Sequence, residues 1–312
     1  MSPGEAKQRF PGVVVDAWRA LSSVFPVRVT RSWADRVISA DDPLGLQVFP
    51  HPSELTSDVS DIADPVGEEQ RMPVPWVVQK HADRALLLVT RRCHVHCRYC
   101  FRRDLDGPSD PSTEEMETAV SYLRQSGVHE VILSGGDPLI LRTEKLAEII
   151  DALHSDVRLI RIHSRAPITF PDRVDDALVA MLQQRQPVWM VVHINHPDEL
   201  SDEVCQGLAR LVDGGVPVLN QSVLLRGVND DPEVLISLSR RLLELRVRPY
   251  YLHHPDAVPG GGRFRVSLEE GLAIHDALRK RLSGIALPQY VIDPPDGTGK
   301  VPVAEWVARP VR

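Results

Sequence analysis

Seven short apolar or β-branched runs alternate with six segments of helical periodicity, and this alternation restricts the fold more than any other feature of the chain. The runs are 85–90 (ALLLVT), 131–134 (VILS), 159–163 (LIRIH), 188–194 (VWMVVHI), 218–224 (VLNQSVL), 247–252 (VRPYYL) and 288–292 (PQYVI). Between them, 114–125, 144–153, 174–184, 202–212, 233–243 and 268–282 space their apolar residues near i, i+3/i+4. Strands separated by helices of this length pair in parallel through right-handed crossovers. A complete eight-fold barrel needs more repeats. The expected architecture is therefore α/β, an open or partial (β/α)6 TIM-like barrel with its function at the carboxyl ends of the strands. A mainly helical N-terminal extension and linker (1–80), a barrel core (81–293) and a C-terminal loop and tail (294–312) complete the expected layout. With 312 residues, 43% of them hydrophobic, the chain is large enough to bury the core this needs.

The first strand end carries Cys93, Cys97 and Cys100 in RRCHVHCRYCFRR. Soft, closely spaced sulfur ligands favour zinc or an iron–sulfur centre over hard cations. Zinc would take a fourth protein ligand, for which His94, His96 or the distant Cys205 are candidates. Three thiolates on a four-iron cluster would instead leave one iron open for chemistry. Four cysteines cannot staple a chain of this length by disulfides, and their use points to a reducing cytoplasm.

The second strand end is Leu133-Ser134-Gly135-Gly136-Asp137-Pro138-Leu139. Paired glycines leave backbone groups approachable by a ligand, although Gly-Gly-Asp-Pro is also an ordinary turn. Lysine occurs only at Lys7, Lys80, Lys145, Lys280 and Lys300 in an arginine-rich chain. Lys80 precedes the first strand. Lys300 follows the last one, where its amine can turn over the barrel mouth and form a Schiff base with an aldehyde cofactor, or else belong to a mobile tail.

The spacing Cys93-x3-Cys97-x2-Cys100 followed by Ser134-Gly135-Gly136-Asp137 resembles radical S-adenosylmethionine enzymes. From about Asp41 to Val303 the chain resembles the lysine 2,3-aminomutase family, through DRALLL (83–88), CRYCFRR (97–103), NQSVLLRGVND (220–230), RPYY (248–251) and DPPDGTGK (293–300). The eleven-residue string at 220–230 is the most specific of these. The resemblance favours a [4Fe-4S] cluster over zinc and implies a barrel of the radical S-adenosylmethionine type. It implies that Cys93, Cys97 and Cys100 each hold one iron and that S-adenosylmethionine chelates the fourth. It places Ser134, Gly135, Gly136 and Asp137 at the bound S-adenosylmethionine, with the Gly135-Gly136 backbone beside its methionine portion. Pyridoxal 5'-phosphate is implied on Lys300, with Arg84 at its phosphate. Arg102 would bind the substrate carboxylate, while Asp256 and Asp293 would face the distal ammonium of lysine. Forked guanidinium donors suit phosphate and carboxylate, and two carboxylates facing one ammonium penalise a neutral side chain.

The implied reaction converts L-lysine to β-lysine by moving the amino group from C2 to C3, an isomerisation started by hydrogen abstraction at the β-carbon. Arginine or another basic amino acid as substrate, and a radical S-adenosylmethionine modification enzyme without pyridoxal phosphate, are the alternatives. His81 and His253 stand where the family has aromatic residues. His193 and His196 invite a metal reading but fall in a strand-end pocket segment. Asp231 stands where longer relatives have a zinc-site cysteine, and the chain ends twelve residues after Lys300. The expectation is thus a compact form lacking that zinc site, resembling the aminomutases associated with (R)-β-lysylation of elongation factor P. The expected partners are free L-lysine or a related amino acid, a low-potential electron donor and a further copy of the chain. A formal charge of -7 and a pI near 5.9 argue against a broad nucleic-acid surface, and no run of about 20 apolar residues offers a membrane span.

Overall fold

The computed structural model describes residues 2–56, 58–103 and 108–309. Its centre is one nine-stranded sheet in chain order: β1 (Val77–Val78), β2 (Arg84–Thr90), β3 (Glu130–Gly135), β4 (Leu159–Ser164), β5 (Val188–His193), β6 (Val218–Val223), β7 (Arg248–His253), β8 (Gln289–Ile292) and β9 (Val301–Pro302). Strands β2 to β8 are parallel, and β1 and β9 add antiparallel edges. All seven expected strands are present, and the two short edges are additional. They went unseen because two residues are too few to carry a period.

Helices α1 (Pro3–Arg9), α2 (Val15–Leu21) and α3 (Arg31–Ala34) form the extension. The six crossover helices are α4 (Thr113–Gln125), α5 (Thr143–Leu153), α7 (Asp176–Gln183), α8 (Asp202–Asp213), α9 (Pro232–Glu244) and α10 (Leu268–Arg281), with a short α6 (Ala166–Thr169) after β4. Side-chain caps start most of the crossovers: Ser112, Asp175, Ser201, Asp231 and Ser267 each accept a hydrogen bond from the first turn. Asp231, at the zinc-site cysteine position, is thus the cap of α9. The expected C-terminal tail is built differently, because β9 and α11 (Val303–Val307) return it to the sheet. Val303 packs into a buried cluster with Leu224, Leu252 and Tyr290.

The strands have two unlike faces. Ala85, Leu87, Val131, Leu133, Ile160, Ile162, Met190 and Val192 pack against the crossover helices in one core. The opposite face carries Arg84, Glu130, Arg161, His163, Gln221, Tyr251 and His253, all partly accessible. This alternation is clean in β4 and β6. The result is an oily outer wall and a polar lumen. Among the described residues, no helix is long and apolar enough to cross a membrane.

The extension closes one side of the mouth. Phe10, Trp18, Trp33 and Phe49 are buried in the main core. Glu54 takes both Arg98 (2.6 Å) and Arg103 (2.8 Å) from the cysteine loop, and the side chains of Glu54 and Arg98 are fully buried. Removing one member of such a group leaves desolvated charge behind. Glu54→Gln should therefore lower unfolding stability by about 3–5 kcal/mol, measured as a fall in the urea midpoint by circular dichroism.

Candidate active site

The cysteine loop leaves β2 at Thr90 and is fixed by backbone contacts on both sides. His96 N–H donates to Arg28 O at 2.9 Å and Arg98 N–H to Gln47 O at 2.8 Å, both in the extension. Gly136 N–H donates to Thr90 O at 2.7 Å and Asp137 N–H to Arg92 O at 2.8 Å, from the end of β3. A Cβ on Gly135 would overlap Thr90 O, and one on Gly136 would overlap the backbone of Arg91 and Arg92. Gly135 also has φ +120°, a conformation L side chains rarely adopt. The glycine pair is therefore required first by the chain itself, which brings the β3 end against the root of the cysteine loop.

Cys93, Cys97 and Cys100 are free thiols in this loop. Burial pushes the Cys93 thiol well up, with further contributions from Asp137, Cys100 and Cys97; burial and then Cys97 push Cys100 up to about 11. The three half-buried cysteines thus share one neighbourhood in which bare thiolates would repel. An iron–sulfur centre supplies the positive charge that such a donor set lacks. Among the described residues, no three His, Cys, Asp or Glu side chains converge on a single-ion position. A four-iron cluster takes one thiolate per iron and does not need them to. Arg165 Nη1 lies 2.8 Å from Cys97 Sγ, while Arg165 Nη2 is held by Gln47 (2.6 Å) and Glu199 (3.1 Å).

Asp137 behaves as a tie between strand ends. Its carboxylate accepts from Ser164 Oγ (2.6 Å), Arg165 N–H (2.9 Å), Ala166 N–H (2.8 Å) and Leu139 N–H (3.0 Å). With those four bonds it fixes the end of β4, including Arg165. Ser134 Oγ and Gly135 O instead face Arg102, whose Nη1 lies 3.3 and 3.2 Å from them. The other edge of Arg102 binds Glu68, with Nε 2.7 Å from Oε2 and a second contact from Nη2 to Oε1.

Lys300 and the acids meet across the mouth. Lys300 Nζ is 3.6 Å from Asp293 Oδ2 and 5.8 Å from the Tyr251 ring centroid. Asp293 Oδ1 also pairs with Lys80 at 3.1 Å. Burial and the neighbouring Asp293 raise the Asp256 carboxyl to about 7, against the opposing pull of Lys300 and Lys80. Arg84, on β2, donates to Asp83 at 3.0 Å, and its charge is felt by His81 and Tyr251. His81 packs on Gly299, where a Cβ would overlap its ring. Burial and Lys300 lower His253 to about 3. His193 lies 3.1 Å from Asn195 and 3.3 Å from Tyr99, whereas His196 caps the short helix Pro197–Glu199.

Four groups escaped the sequence reading: His163, Arg161, Glu68 and Lys80. Burial, then Arg161, Lys300, His253 and Arg102, hold His163 well below the usual imidazole range. Its Nε2 is buried without a hydrogen-bond partner, in a lumen whose charged groups include Lys300, Arg102 and Arg161, the last paired with Glu130. That orphan atom, with Arg84, Arg161 and Lys300 nearby, fits an anionic aldehyde cofactor such as pyridoxal phosphate. Lysine scarcity was a usable signal for Lys80; Glu68, in an acidic surface-like stretch, gave none.

A family model described as the Radical SAM superfamily matches residues 87–238. The chain is 41% identical over 268 residues to the L-lysine 2,3-aminomutase of Clostridium subterminale, covering 84% of this chain and 64% of that one. It is 38% identical to the putative L-lysine 2,3-aminomutase of Treponema pallidum, covering 96% and 88%. For the L-lysine 2,3-aminomutase of Buchnera aphidicola the identity is 35%, covering 90% and 85%. The chain spans just under two thirds of the length of several L-lysine 2,3-aminomutases it matches, that of Clostridium subterminale among them. Among solved structures, Streptococcus suis SuiB bound to precursor peptide SuiA superposes with a TM-score of 0.53 at 14% identity, over 68% of this chain and 49% of that one. This last likeness concerns the fold. Gly136→Ala should cost about 1–3 kcal/mol of stability through overpacking and lose most of the iron bound on reconstitution, read by iron analysis and the cluster absorption band.

Proposed function

This chain belongs to the lysine 2,3-aminomutase family of the radical S-adenosylmethionine superfamily, and from that premise we propose that it is an isomerase converting L-lysine to β-lysine by moving the α-amino group to C3. The observation that carries the reading is the arrangement of charges across one mouth. Arg102 lies beside the cysteine loop, and the Asp256/Asp293 pair lies beside Lys300. A carboxylate at one end and an ammonium at the other are the features these groups recognise.

Cys93, Cys97 and Cys100 would each hold one iron, with Ser134, Gly135 and Gly136 at the S-adenosylmethionine and Asp137 fixing the strand ends round it. Arg84 would take the phosphate of pyridoxal phosphate, with Lys300 as its amine. When bound, these groups supply a carbon radical able to remove an unactivated hydrogen and a conjugated system across which nitrogen can shift. The protein's own part is positional. Arg102 holds the carboxylate next to the radical source, the two acids hold the far ammonium, and the dry outer wall keeps the strand ends in register. In this reading 81–293 is the catalytic core, 1–80 its clamp, and 294–312 the segment that presents Lys300; residues 310–312 lie outside the described residues. The electron comes from an external low-potential donor. The sparing use of cysteine, with three thiols kept for iron in this reading, supports a reducing cytoplasm as its compartment. Self-association and supply of (R)-β-lysine for elongation factor P are supported by the sequence resemblance alone.

The test is an anaerobic assay of reconstituted protein with pyridoxal phosphate, S-adenosylmethionine, a reductant and a panel of basic amino acids. β-Lysine from lysine is expected; turnover of another amino acid and none of lysine would reject the substrate assignment. Lys300→Ala should abolish both turnover and the visible absorption change on adding pyridoxal phosphate.

A pH dependence also follows. Asp256 attracts an ammonium only when ionised, and its raised pKa near 7 means that this form is lost as pH falls through neutrality. Lysine affinity should weaken below pH about 7, by up to about tenfold per unit. Asp256→Asn should flatten that profile, as measured by spectral titration of the unreduced protein.

A further inference from the structure

Both ends of the proposed substrate site are already occupied by the protein itself. Glu68 presents a carboxylate to Arg102, and Lys80, twelve residues on, presents an ammonium to Asp293. Neither contact is a loose surface pair: the side chains of Lys80 and Glu68 are 9% and 15% exposed. Arg102 engages Glu68 through Nε and Nη2 and engages Ser134 and Gly135 through Nη1, so an incoming carboxylate has no free bidentate edge. Asp293 likewise faces two cations before any substrate ammonium arrives. Asp256 feels Asp293, Lys300, Lys80 and Glu68 together, which places all five groups in one electrostatic neighbourhood.

The segment that carries the two residues is built as a unit. Asp64 accepts from Glu68 N–H and Glu69 N–H, both at 2.9 Å; Arg71 O accepts from Gln79 N–H at 2.8 Å; and Lys80 Nζ also reaches Val66 O. It lies against the loop that bears Lys300. Gly67 is so close to Pro295 that a Cβ would overlap its carbonyl, and Arg71 Nη2 is 3.3 Å from Asp296 O.

We infer that segment 66–80 is an internal occupant of the substrate site, in which Glu68 and Lys80 hold Arg102 and Asp293 until the carboxylate and distal ammonium of the amino acid replace them. This rests on the roles given above to Arg102, Asp256 and Asp293. Binding is then an exchange of two internal ion pairs for two intermolecular ones. A ligand with both charges replaces both pairs, and a ligand with one charge leaves the other pair closed. Glu68 and Lys80 thus act as specificity-determining residues by competition. They also link occupancy of the site to the position of the Lys300 loop.

The test uses cluster-reconstituted, pyridoxal-phosphate-loaded protein without reductant, so that binding is read without turnover. Lysine, norleucine (no distal ammonium) and 1,5-diaminopentane (no carboxylate) are titrated into the parent, Glu68→Gln and Lys80→Gln. Glu68→Gln should tighten lysine and norleucine on the order of five- to tenfold, and leave 1,5-diaminopentane unchanged. Lys80→Gln should tighten lysine and 1,5-diaminopentane and leave norleucine unchanged. Weaker or unaltered lysine binding in both variants overturns the inference, because a purely supporting role for the two residues predicts that result. Hydrogen exchange in the parent gives a readout that needs no variant. Saturating lysine should raise exchange across 66–80, and protection there overturns the inference. β-Lysine formation on reduction with an undisplaced segment overturns this inference alone. Displacement by lysine without any product overturns the aminomutase reading alone.

Discussion

The sheet does not close on itself, and the rest of the site depends on how that gap is filled. β1 and β9, two residues each, end the sheet without pairing to one another. Short edges offer little template for an unwanted strand. The gap is crossed instead by side chains and tight backbone approach: Gly67 on Pro295, Arg71 on Asp296, Lys80 on Asp293 and His81 on Gly299. A ladder of backbone hydrogen bonds would be stiffer. Discrete side-chain contacts can exchange partners one at a time without unravelling a strand, which suits a mouth that must admit cofactors and a zwitterion.

Round this opening, irregular loops are made rigid by buried carboxylates that each accept several hydrogen bonds. Glu54 gathers Arg98 and Arg103, Asp137 gathers the start of α6 with Ser164, and Glu199 gathers Arg165, Gln47 and the backbone of Asn195 and His196. Burying a carboxylate is costly unless every lone pair finds a donor. Each of these acids joins segments distant in sequence, so their demand for partners fixes loop geometry that propensity alone would leave open. The cysteine loop lies between all three.

The parallel strands and their crossover helices were legible because period 2 and period 3.6 are local properties of a run. The cysteines and Lys300 stood out by residue type and by their place at strand ends, whereas Arg102 and Asp293 drew notice only through the family resemblance. Segment 66–80 was not, because Glu68 and Lys80 matter through partners 34 and 213 positions away; the rarity of lysine marks Lys80 but says nothing of its partner, and nothing marks Glu68. Asp137 and the glycine pair were noticed for their chemistry, yet the structure uses them first to bind strand end to strand end. His163 lies in a run whose alternation predicted a strand, but which face would be polar became clear only once the helices covered the other.

That division between the two faces of each strand has an evolutionary consequence. Ile160 and Ile162 answer to packing, while Arg161 and His163, one residue away, answer to whatever fills the lumen. Substitutions at adjacent positions therefore meet different physical demands. A descendant of this chain could acquire a new preference by altering lumen residues alone, with the scaffold inherited intact.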